Sequence, residues 1–380
     1  MPSPPPSSPR PGVPRVVIDL EKLRHINCGL GRFSLHLGRE ILALADERFE
    51  PVLFLPDGAA ERFAGAARIG VAPWRKEAMQ RFYRPLLRPV LGAPAYAAWH
   101  VTNQMSRYLP LDPRVPVVLT IHDLNFLHES PGEAAPAHKL ADIQRKVDRA
   151  AVVVTDSRFV ADDVARHVEL RGKPVHVVPL GVPEPPRASP ERPPFLPPGP
   201  FLFTVGNCLP HKNFHVLLDL LGHLPGPRLV IAGKKSTPYG AFLAREIAAR
   251  GLGERVVMPG EVSDGDRQWL YEHCQAFLFP SLTEGFGFPV LEAMLAGRPV
   301  FLSRRTSLPE VSGGHGEFLD VFEGPAMAAV VRAGLARREA LPHLAEAARA
   351  HAAGFSWRRM ARGYADVYAS LVAPGARKSA

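Results

Sequence analysis

Two glutamates flank a glycine-rich turn in the stretch SLTEGFGFPVLE, which spans residues 281–292. Glu284 stands before the turn, Glu292 follows eight residues later, and the turn consists of Gly285, Phe286 and Gly287. Glycine lets the backbone direct several N–H groups towards one anion at the start of a helix, while carboxylates accept hydrogen bonds from hydroxyl groups. The pattern suits a ligand that has both a diphosphate and sugar hydroxyls. A turn between two solvated glutamates fits it equally well.

A loop in front of a predicted helix contains a second group of candidates for anion binding. It follows the apolar stretch FLFTV (residues 201–205) and contains Gly206, Asn207 and Lys212. A lysine at the carboxyl end of a strand can contact a phosphate as a point charge, although most loop lysines are simply solvated. The loop after the next apolar stretch contains Lys234 and Lys235 and is a weaker signal of the same kind.

Strands and helices alternate along both halves of the chain, and they must position these loops. Apolar stretches predict strands at positions such as Val117–Ile121, Phe201–Val205 and Ala276–Phe279, and amphipathic stretches predict helices such as Arg32–Ala45 and Arg158–His167. Parallel sheets that helices cover on both faces give this pattern. We therefore predict an α/β protein with two doubly wound domains that face each other across a cleft. Ligands are expected at the carboxyl ends of the strands.

Proline-rich stretches mark the expected domain boundaries. Residues 2–14 are rich in proline and serine, and nine prolines lie between Pro183 and Pro200. The first stretch cannot build a core, and the second is expected to form an extended linker. We therefore expect a disordered tail over 1–14, an N-terminal domain over 15–182, a linker over 183–200, a second domain over 201–355 and a C-terminal segment over 356–380.

Composition narrows the possible classes of protein. The chain has 380 residues, which is too many for one compact core and suits two domains. Its net charge of +9 is spread over both halves without a helix-turn-helix, zinc-finger or ribonucleoprotein motif, so nucleic-acid binding is not expected. The three cysteines lie far apart, which argues against a zinc ribbon or a disulfide framework. No apolar stretch is long enough to span a bilayer, and the first residues lack the apolar core of a secretory signal, so we expect a cytoplasmic protein.

Several blocks of sequence, in the correct order, are similar to those of glycosyltransferase family 4. The second half contains VGNCLPHKNF, LVIAGKK and LFPSLTEGFGFPVLEAMLAGRPV, and the first half contains INCGLGRFSLHLGREIL, VVLTIHDLNFLHE and HVVPLGV. The resemblance covers about residues 15–372 and includes the Glu-x7-Glu signature of the family at Glu284 and Glu292. It implies a GT-B fold of two Rossmann-like domains. It also implies a retaining enzyme that uses a nucleotide-diphosphate sugar as donor and needs neither a metal nor another cofactor.

The resemblance assigns roles in the second domain. Glu284 would contact the transferred sugar beside its anomeric carbon, and Glu292 would bind the ribose hydroxyls of the nucleotide. Lys212 would hold the diphosphate with the help of the backbone N–H groups of residues 285–287.

The first domain also receives roles from the resemblance. Gly29 and Gly31 would form a loop that faces the donor phosphates, and His122 would lie near the reacting centre. The last helix, around Trp357–Leu371, would cross back to the first domain.

The sequence departs from the family at one position. Asn207 stands directly after Gly206, where many members of the family have an arginine that contacts the diphosphate. We expect Lys234, Lys235 or Arg32 to supply the missing positive charge.

The expected activity is the transfer of a mannose- or glucose-like hexose to a glycan or lipid-linked acceptor, held mainly by the first domain, in cell-surface polysaccharide or glycolipid synthesis. A GT-B-shaped sugar-nucleotide epimerase is an alternative enzyme. An inactive homologue that serves as a membrane scaffold is an alternative of a different class.

A basic stretch in the first domain has two interpretations. Within residues 75–88, Arg81, Arg84 and Arg88 share one helical face while Met79 and Phe82 recur at helical spacing. The segment is either a solvated helix face or a contact with an anionic membrane surface. In the second case the protein would lie peripherally on the inner face of the plasma membrane.

Overall fold

The structure, a computed structural model, describes residues 10–26, 28–80, 82, 94–129, 135–182 and 191–373. These residues fall into two compact units. The N-terminal unit consists of the described residues before 125, of 135–181 and of 356–373, and the C-terminal unit consists of 125–129, 182 and 191–355. Arg81, Arg84 and Arg88 of the basic stretch lie outside the described residues, as do 1–9 of the predicted tail and 183–190 of the predicted linker.

A parallel sheet of seven strands forms the centre of the N-terminal unit, in the order β3-β2-β1-β4-β5-β6-β7. Strands β4, β5 and β6 are buried at every position, as in parallel sheets with covered faces. The strands are β1 (Arg15–Asp19), β2 (Glu50–Leu55), β3 (Arg68–Gly70), β4 (Ala98–Val101), β5 (Val117–Ile121), β6 (Val152–Thr155) and β7 (Val175–Val177).

A second parallel sheet of six strands forms the centre of the C-terminal unit, in the order β10-β9-β8-β11-β12-β13. Its strands are β8 (Phe201–Val205), β9 (Arg228–Ala232), β10 (Val256–Gly260), β11 (Ala276–Phe279), β12 (Val300–Ser303) and β13 (Glu317–Leu319).

The strand order reverses once in each sheet. The reversal lies between β1 and β4 in the N-terminal unit and between β8 and β11 in the C-terminal unit. Loops that leave the carboxyl ends of two such strands diverge to opposite faces and open a crevice in which ligands bind. Each unit therefore has one such switch point of its own.

Helices connect the strands in both units. The helices of the first half are α1 (Gly29–Leu44), α2 (Phe126–Glu129), α3 (Ala135–Arg149) and α4 (Arg158–His167). The later helices are α5 (Val216–His223), α6 (Pro238–Ala249), α7 (Asp264–His273), α8 (Phe288–Leu295), α9 (Leu308–Ser312), α10 (Gly324–Ala340), α11 (His343–Ala353) and α12 (Trp357–Val372). None of the helices within the described ranges is long and apolar enough to cross a membrane.

The last helix, α12, belongs to the N-terminal unit, where it packs against α1. Tyr368 of α12 lies 2.6 Å from Nδ1 of His100 on β4, and Tyr364 lies 3.0 Å from the hydroxyl of Thr120 on β5. Nε2 of His100 lies 2.8 Å from the same Thr120 hydroxyl. All four side chains are buried, so this hydrogen-bonded network joins α12 to the sheet.

Two segments differ from the arrangement expected from the sequence. Within the predicted tail, the Arg10 guanidinium donates to the carbonyl of Phe49 at 2.8 Å, and the carbonyl of Pro14 accepts from the N–H of Glu50 at 2.8 Å. Helix α1 begins at Gly29, three residues before the predicted start.

Candidate functional site

An ion pair occupies the switch point of the C-terminal unit. Lys212 ends a short 3-10 turn after β8, and Glu284 follows β11. The Lys212 ammonium nitrogen lies 2.5 Å from a carboxylate oxygen of Glu284, and the two side chains are 16% and 13% exposed. A cation that can bind an anion and a carboxylate that can accept from hydroxyls therefore meet at the crevice.

The loops that carry this pair are linked to each other. The N–H of Leu282 donates to the carbonyl of His211 at 2.7 Å, and the Asn213 amide donates to the carbonyl of Pro280 at 3.3 Å. Asn213 has a left-handed φ of 59°, a conformation that asparagine adopts more readily than most residues. The spacing of Lys212 and Glu284 thus depends on hydrogen bonds between the two loops.

The glycine-rich turn is fixed by two hydroxyl residues that sequence reasoning did not single out. The N–H of Glu284 donates to Thr306 at 3.0 Å, and Ser307 donates to the carbonyls of Glu284 and Phe286 at 2.9 and 3.1 Å. Gly287 caps α8 with a φ of 102°, and a Cβ there would lie 2.7 Å from a methyl group of Leu308. The turn leads into the first turn of α8, whose N–H groups are directed out of the helix end.

Glu292 lies on α8, beside two residues of α7. The Tyr271 hydroxyl donates to its carboxylate at 2.8 Å, and Nε of Arg267 lies 3.8 Å away. Burial raises the pKa of Tyr271 well above its ordinary value, so the hydroxyl keeps its proton. Sequence reasoning missed both partners, although their spacing of four residues on a helix places them on one face.

The loops after β8 and β9 contain two of the residues expected to replace the arginine that is absent at Asn207. Asn207 and Lys234 are exposed, and no ion-pair partner of Lys234 is found in the described part of the chain. The Lys235 ammonium instead donates to the carbonyl of Met258 at 2.6 Å. Of the two lysines, only Lys235 has an ammonium group that is bound within the described ranges, whereas Arg32 belongs to the N-terminal unit. A Cβ at Gly233 would lie 2.2 Å from the carbonyl oxygen of Gly206, so these two loops also touch.

The two glycines that were predicted to form a loop in the N-terminal unit are part of a helix. Gly29 and Gly31 are in the first turn of α1, so the prediction of a loop is corrected at this point. A Cβ on Gly31 would lie 2.1 Å from the carbonyl oxygen of His25. Close packing of α1 on the preceding turn therefore requires glycine at 31, and contact of either glycine with phosphate stays a prediction.

His122 follows β5 and is buried, with 5% of its surface exposed. Its Nδ1 lies 2.6 Å from the carboxylate of Asp156, which follows β6, and its Nε2 donates to the carbonyl of Thr102 at 2.8 Å. Burial alone would lower the pKa of His122, but Asp156, the Thr102 carbonyl and Asp123 together outweigh it and raise that pKa. Burial also raises the pKa of Asp156.

Both ring nitrogens of His122 thus have partners inside the N-terminal unit, and a hydrogen bond from the ring to a substrate would require one of them to be given up. A catalytic role of His122 stays a prediction. Asp156 was not singled out from the sequence, although it occupies the position after β6 that His122 occupies after the neighbouring β5.

No group of three or more histidine, cysteine, aspartate or glutamate side chains within the described ranges could hold a metal ion. The sequence prediction that the reaction needs no metal is a separate matter and stays a prediction.

Two family descriptions match the chain along most of its length. Glycosyltransferase Family 4 matches residues 29–184, and Glycosyl transferases group 1 matches residues 188–351. The chain belongs to glycosyltransferase family 4. The resemblance drawn from its sequence blocks is therefore confirmed.

Curated relatives of this family 4 protein include mannosyltransferases. O-antigen chain mannosyltransferase B of Escherichia coli is 26% identical over 345 residues, which cover 83% of this chain and 89% of the relative. Serotype-specific mannosyltransferase WbdA of Escherichia coli is 31% identical over 166 residues, so the match spans only 20% of WbdA and 42% of this chain. D-inositol 3-phosphate glycosyltransferase of Nocardia farcinica is 30% identical, with 68% of this chain and 62% of the relative covered.

Solved structures support the fold of this family 4 protein. A glycosyltransferase from Rickettsia africae has a TM-score of 0.68 at 14% identity and covers 97% of this chain and 100% of its own. Anabaena HepE, solved in complex with UDP and glucose, has a TM-score of 0.68 at 18% identity and covers 94% and 99%. The predicted α/β GT-B fold is confirmed.

Proposed function

We propose that this protein is a retaining hexosyltransferase that moves a mannose- or glucose-like sugar from a nucleotide-diphosphate sugar to a glycan or lipid-linked acceptor. The observation that carries the proposal is the meeting of Lys212 and Glu284 at the switch point of the C-terminal unit. Glu292 lies on the helix that follows the same loop. The three side chains supply a cation for a diphosphate and two acceptors for hydroxyls.

The diphosphate is the leaving group of such a transfer, and negative charge builds up on it as the glycosidic bond breaks. Lys212 and the N–H groups at the start of α8 stabilise that charge, because they are already oriented before the reaction. Lys234 adds a second cation from the loop after β9. Glu284 pairs with Lys212, so a diphosphate that binds Lys212 competes with this carboxylate.

The transfer breaks the bond between the anomeric carbon and the phosphate oxygen and forms one from that carbon to an acceptor oxygen on the same face. The proton of the acceptor hydroxyl passes to the departing diphosphate. Glu284, released from Lys212, accepts hydrogen bonds from hydroxyls of the transferred sugar and orients it. No protein nucleophile is required in this front-face route.

The relatives support the choice of sugar and acceptor. Mannosyltransferase B and WbdA carry mannose in their names, and the name of the former also specifies an O-antigen chain. HepE was solved with UDP and glucose. We therefore propose cell-surface polysaccharide or glycolipid synthesis as the process, with a nucleotide-diphosphate sugar as donor.

A thermal-shift panel tests the proposal. Nucleoside diphosphates and their sugars that bind the folded protein stabilise it by RT ln(1 + [L]/Kd). The sugar that gives the largest shift is then offered, radiolabelled, with an oligosaccharide acceptor, with and without excess EDTA. We expect transfer that survives EDTA, and loss of activity that Mn²⁺ restores would overturn metal independence. A panel in which no nucleotide shifts the midpoint would overturn the proposal, and conversion of the donor without an acceptor would favour an epimerase.

We also propose that the segment around residues 74–88 contacts an anionic membrane surface. Trp74, Met79 and Phe82 are large apolar side chains that are 52%, 46% and 78% exposed. The Arg75 guanidinium lies 4.3 Å from the centre of the Trp74 ring. Exposed aromatic and basic side chains next to each other are typical of peripheral membrane contacts.

A further inference from the structure

A polar cavity of about 750 Å³ opens in the N-terminal unit. Residues 21–24 follow β1 and residues 105–108 follow β4, so the cavity lies where the strand order of this sheet reverses. Helix α3 supplies another wall. The N-terminal unit therefore has a crevice at its switch point, as the C-terminal unit has around Lys212.

The lining of the cavity is strongly basic. Seven lysines and arginines face three carboxylates. Each carboxylate already has a basic partner in the wall: Glu21 pairs with Lys22 at 3.0 Å, Asp142 with Lys146 at 2.6 Å and Glu77 with Arg145 at 3.3 Å. The remaining positive charge is not neutralised by the lining itself.

Two of the remaining cationic residues lie on chain segments that are hydrogen-bonded to each other. The N–H of Glu77 donates to the carbonyl of Arg107 at 2.8 Å, and Lys76 forms an antiparallel bridge with Tyr108. Among the residues that the structure describes, neither Lys76 nor Arg107 has an ion-pair partner. Two adjacent chain segments thus bring two positive side chains to one wall of the cavity.

The cavity is connected to the loop of His122 through Gln104. The Lys146 ammonium, which lines the cavity, donates to the carbonyl of Gln104 at 2.6 Å. The Gln104 side chain in turn accepts from the N–H of His122 at 3.2 Å and donates to the carbonyl of Asp123 at 2.9 Å. A ligand in the cavity would therefore lie next to the loop for which the family resemblance implies a place near the reacting centre.

We infer that this cavity binds a phosphoryl group of the acceptor substrate, an inference that rests on the proposed transfer to an acceptor. A phosphoryl group presents several charged oxygens to surrounding cations, which matches a cavity that is lined by several lysines and arginines. The volume is that of a small-molecule site and fits a sugar phosphate. The phosphoryl group belongs either to a soluble sugar phosphate or to a lipid-linked sugar diphosphate.

Calorimetric titration with inorganic pyrophosphate tests the site. The protein with Lys212→Gln and Lys234→Gln is used first, because these changes remove both cations that the proposed function assigns to the diphosphate in the C-terminal unit. We expect one pyrophosphate site to remain. Adding Lys76→Gln and Arg107→Gln should weaken pyrophosphate binding at this site at least tenfold, because charged hydrogen bonds are lost. The charge-matched control adds Arg39→Gln and Arg62→Gln instead. These two exposed arginines belong to the same unit but lie outside the cavity lining, so this control should leave pyrophosphate binding unchanged.

Two outcomes would overturn the inference. Pyrophosphate binding could disappear with Lys212→Gln and Lys234→Gln alone, or the two added pairs of substitutions could have equal effects. Binding of a nucleoside diphosphate to the protein with Lys212 intact is measured in parallel. If the nucleoside diphosphate binds but the pyrophosphate site in the N-terminal unit is absent, only this inference fails. If the nucleoside diphosphate does not bind, the proposed function is contradicted.

A second pair of probes distinguishes the two sources of the phosphoryl group. Glucose 1-phosphate is titrated in solution, and flotation is measured with phosphatidylcholine vesicles that contain a polyprenyl diphosphate or an equal charge of phosphatidylglycerol. If one of the phosphoryl probes binds, and Lys76→Gln with Arg107→Gln weakens its binding at least tenfold, the site is supported. The probe that binds then identifies the source of the phosphoryl group. Equal flotation with both kinds of vesicle and no effect of the variant on any probe would overturn it.

Discussion

The ammonium nitrogen of Lys212 lies 2.5 Å from a carboxylate oxygen of Glu284, although the two residues are 72 positions apart in the chain. They meet because β8 and β11 are neighbours in the sheet and both residues follow the carboxyl ends of these strands. The Glu284 carboxylate pairs with the same ammonium group that a diphosphate would contact. The two residues are therefore expected to have opposite effects on nucleotide binding.

Lys212→Gln should weaken the binding of a nucleoside diphosphate roughly 10- to 100-fold, since a charged hydrogen bond contributes about 1.5–3 kcal/mol. Glu284→Gln should bind the same nucleotide as tightly as the unmodified protein or more tightly, because the competing carboxylate is gone, yet transfer little sugar. Calorimetry and steady-state kinetics measure the two effects. Glu254→Gln, an exposed change in the same unit, is the control. A loss of nucleotide affinity in Glu284→Gln equal to that in Lys212→Gln would contradict this competition.

Glu292 and Tyr271 allow a second comparison. If Glu292 binds the ribose in both the ground state and the transition state, Glu292→Gln should raise the KM for the donor roughly 10- to 100-fold and change kcat little. Tyr271→Phe removes only the hydroxyl that orients Glu292 and should raise KM about tenfold or less. Glu272→Gln changes a carboxylate of α7 that accepts from Gln268 at 2.8 Å, so it serves as the control. A larger effect of Tyr271→Phe than of Glu292→Gln would contradict the assigned roles.

The buried network of α12 leads to a prediction about stability. Burial lowers the pKa of His100 to about 3, so the ring is neutral near pH 7. Tyr368→Phe leaves buried Nδ1 of His100 without its partner and should cost about 1–3 kcal/mol of unfolding free energy. Tyr364→Phe should cost about 0.5–1.5 kcal/mol, because Thr120 keeps its contact with His100. Urea denaturation of both variants measures the difference, and the reverse order would show that the network does not act as described.

Asp19 provides a prediction about pH. Its carboxyl is fully buried, accepts from Ser106 at 2.6 Å and from the N–H of Glu21 at 3.0 Å, and burial raises its pKa from 3.8 to about 7. Between these values the folded state holds a proton that the unfolded state has lost. Stability therefore decreases as pH rises through this range, by up to about 1.4 kcal/mol per pH unit. Asp19→Asn cannot ionise, so its stability relative to the unmodified protein should increase from about pH 4 to about pH 7 and then level off.

Urea denaturation across this range measures the effect of Asp19→Asn. Asp112→Asn is the control, because hydrogen bonds from the Arg114 guanidinium lower the pKa of Asp112. The contribution of Asp112 to stability is present at neutral pH and is lost as pH falls below its ordinary pKa. Parallel curves for the two variants between pH 4 and 7 would contradict the assignment to Asp19.

Membrane contact is tested on two side chains of the proposed membrane-binding segment. Trp74→Ser and Phe82→Ser together should weaken flotation with phosphatidylglycerol vesicles at least tenfold, since each buried apolar side chain contributes about 1.5–3 kcal/mol. Changing Arg81, Arg84 and Arg88 to Ser should remove about 1 kcal/mol each. Leu341→Ser changes an exposed leucine of the C-terminal unit and is the control. Flotation unaffected by either set would identify the segment as a solvated face.

Much of the sheet could be predicted from the sequence. Apolar stretches bounded by turn residues gave the ends of β5, β8 and β11 as the structure has them. Strands β3 and β13 were not predicted, because three residues that include a charge or a glycine carry no periodic signal. The early start of α1 was missed because glycine is a poor helix former, whereas the close approach to His25 requires it there.

The candidate site was only partly predictable. Lys212 and Glu284 could be placed at strand ends, since apolar strands fix where loops begin. Their direct pairing could not, because it depends on which strands are neighbours. The contact between Tyr271 and Glu292 depends on the rotation of α7 about its axis, which a short amphipathic helix does not specify. The partners of His122 were missed because they, too, depend on which strands are neighbours in the sheet.

The position of α12 determines the order in which the chain can complete its folding during synthesis. The N-terminal sheet leaves the ribosome first, but Tyr364 and Tyr368, which provide partners for Thr120 and His100, are made after the whole C-terminal unit. Until α12 is made, His100 and Thr120 lack their hydrogen-bond partners on this helix. The C-terminal unit, which needs no later segment of the described chain, can reach its final packing first. The half that is translated first therefore contains the helix that is translated last.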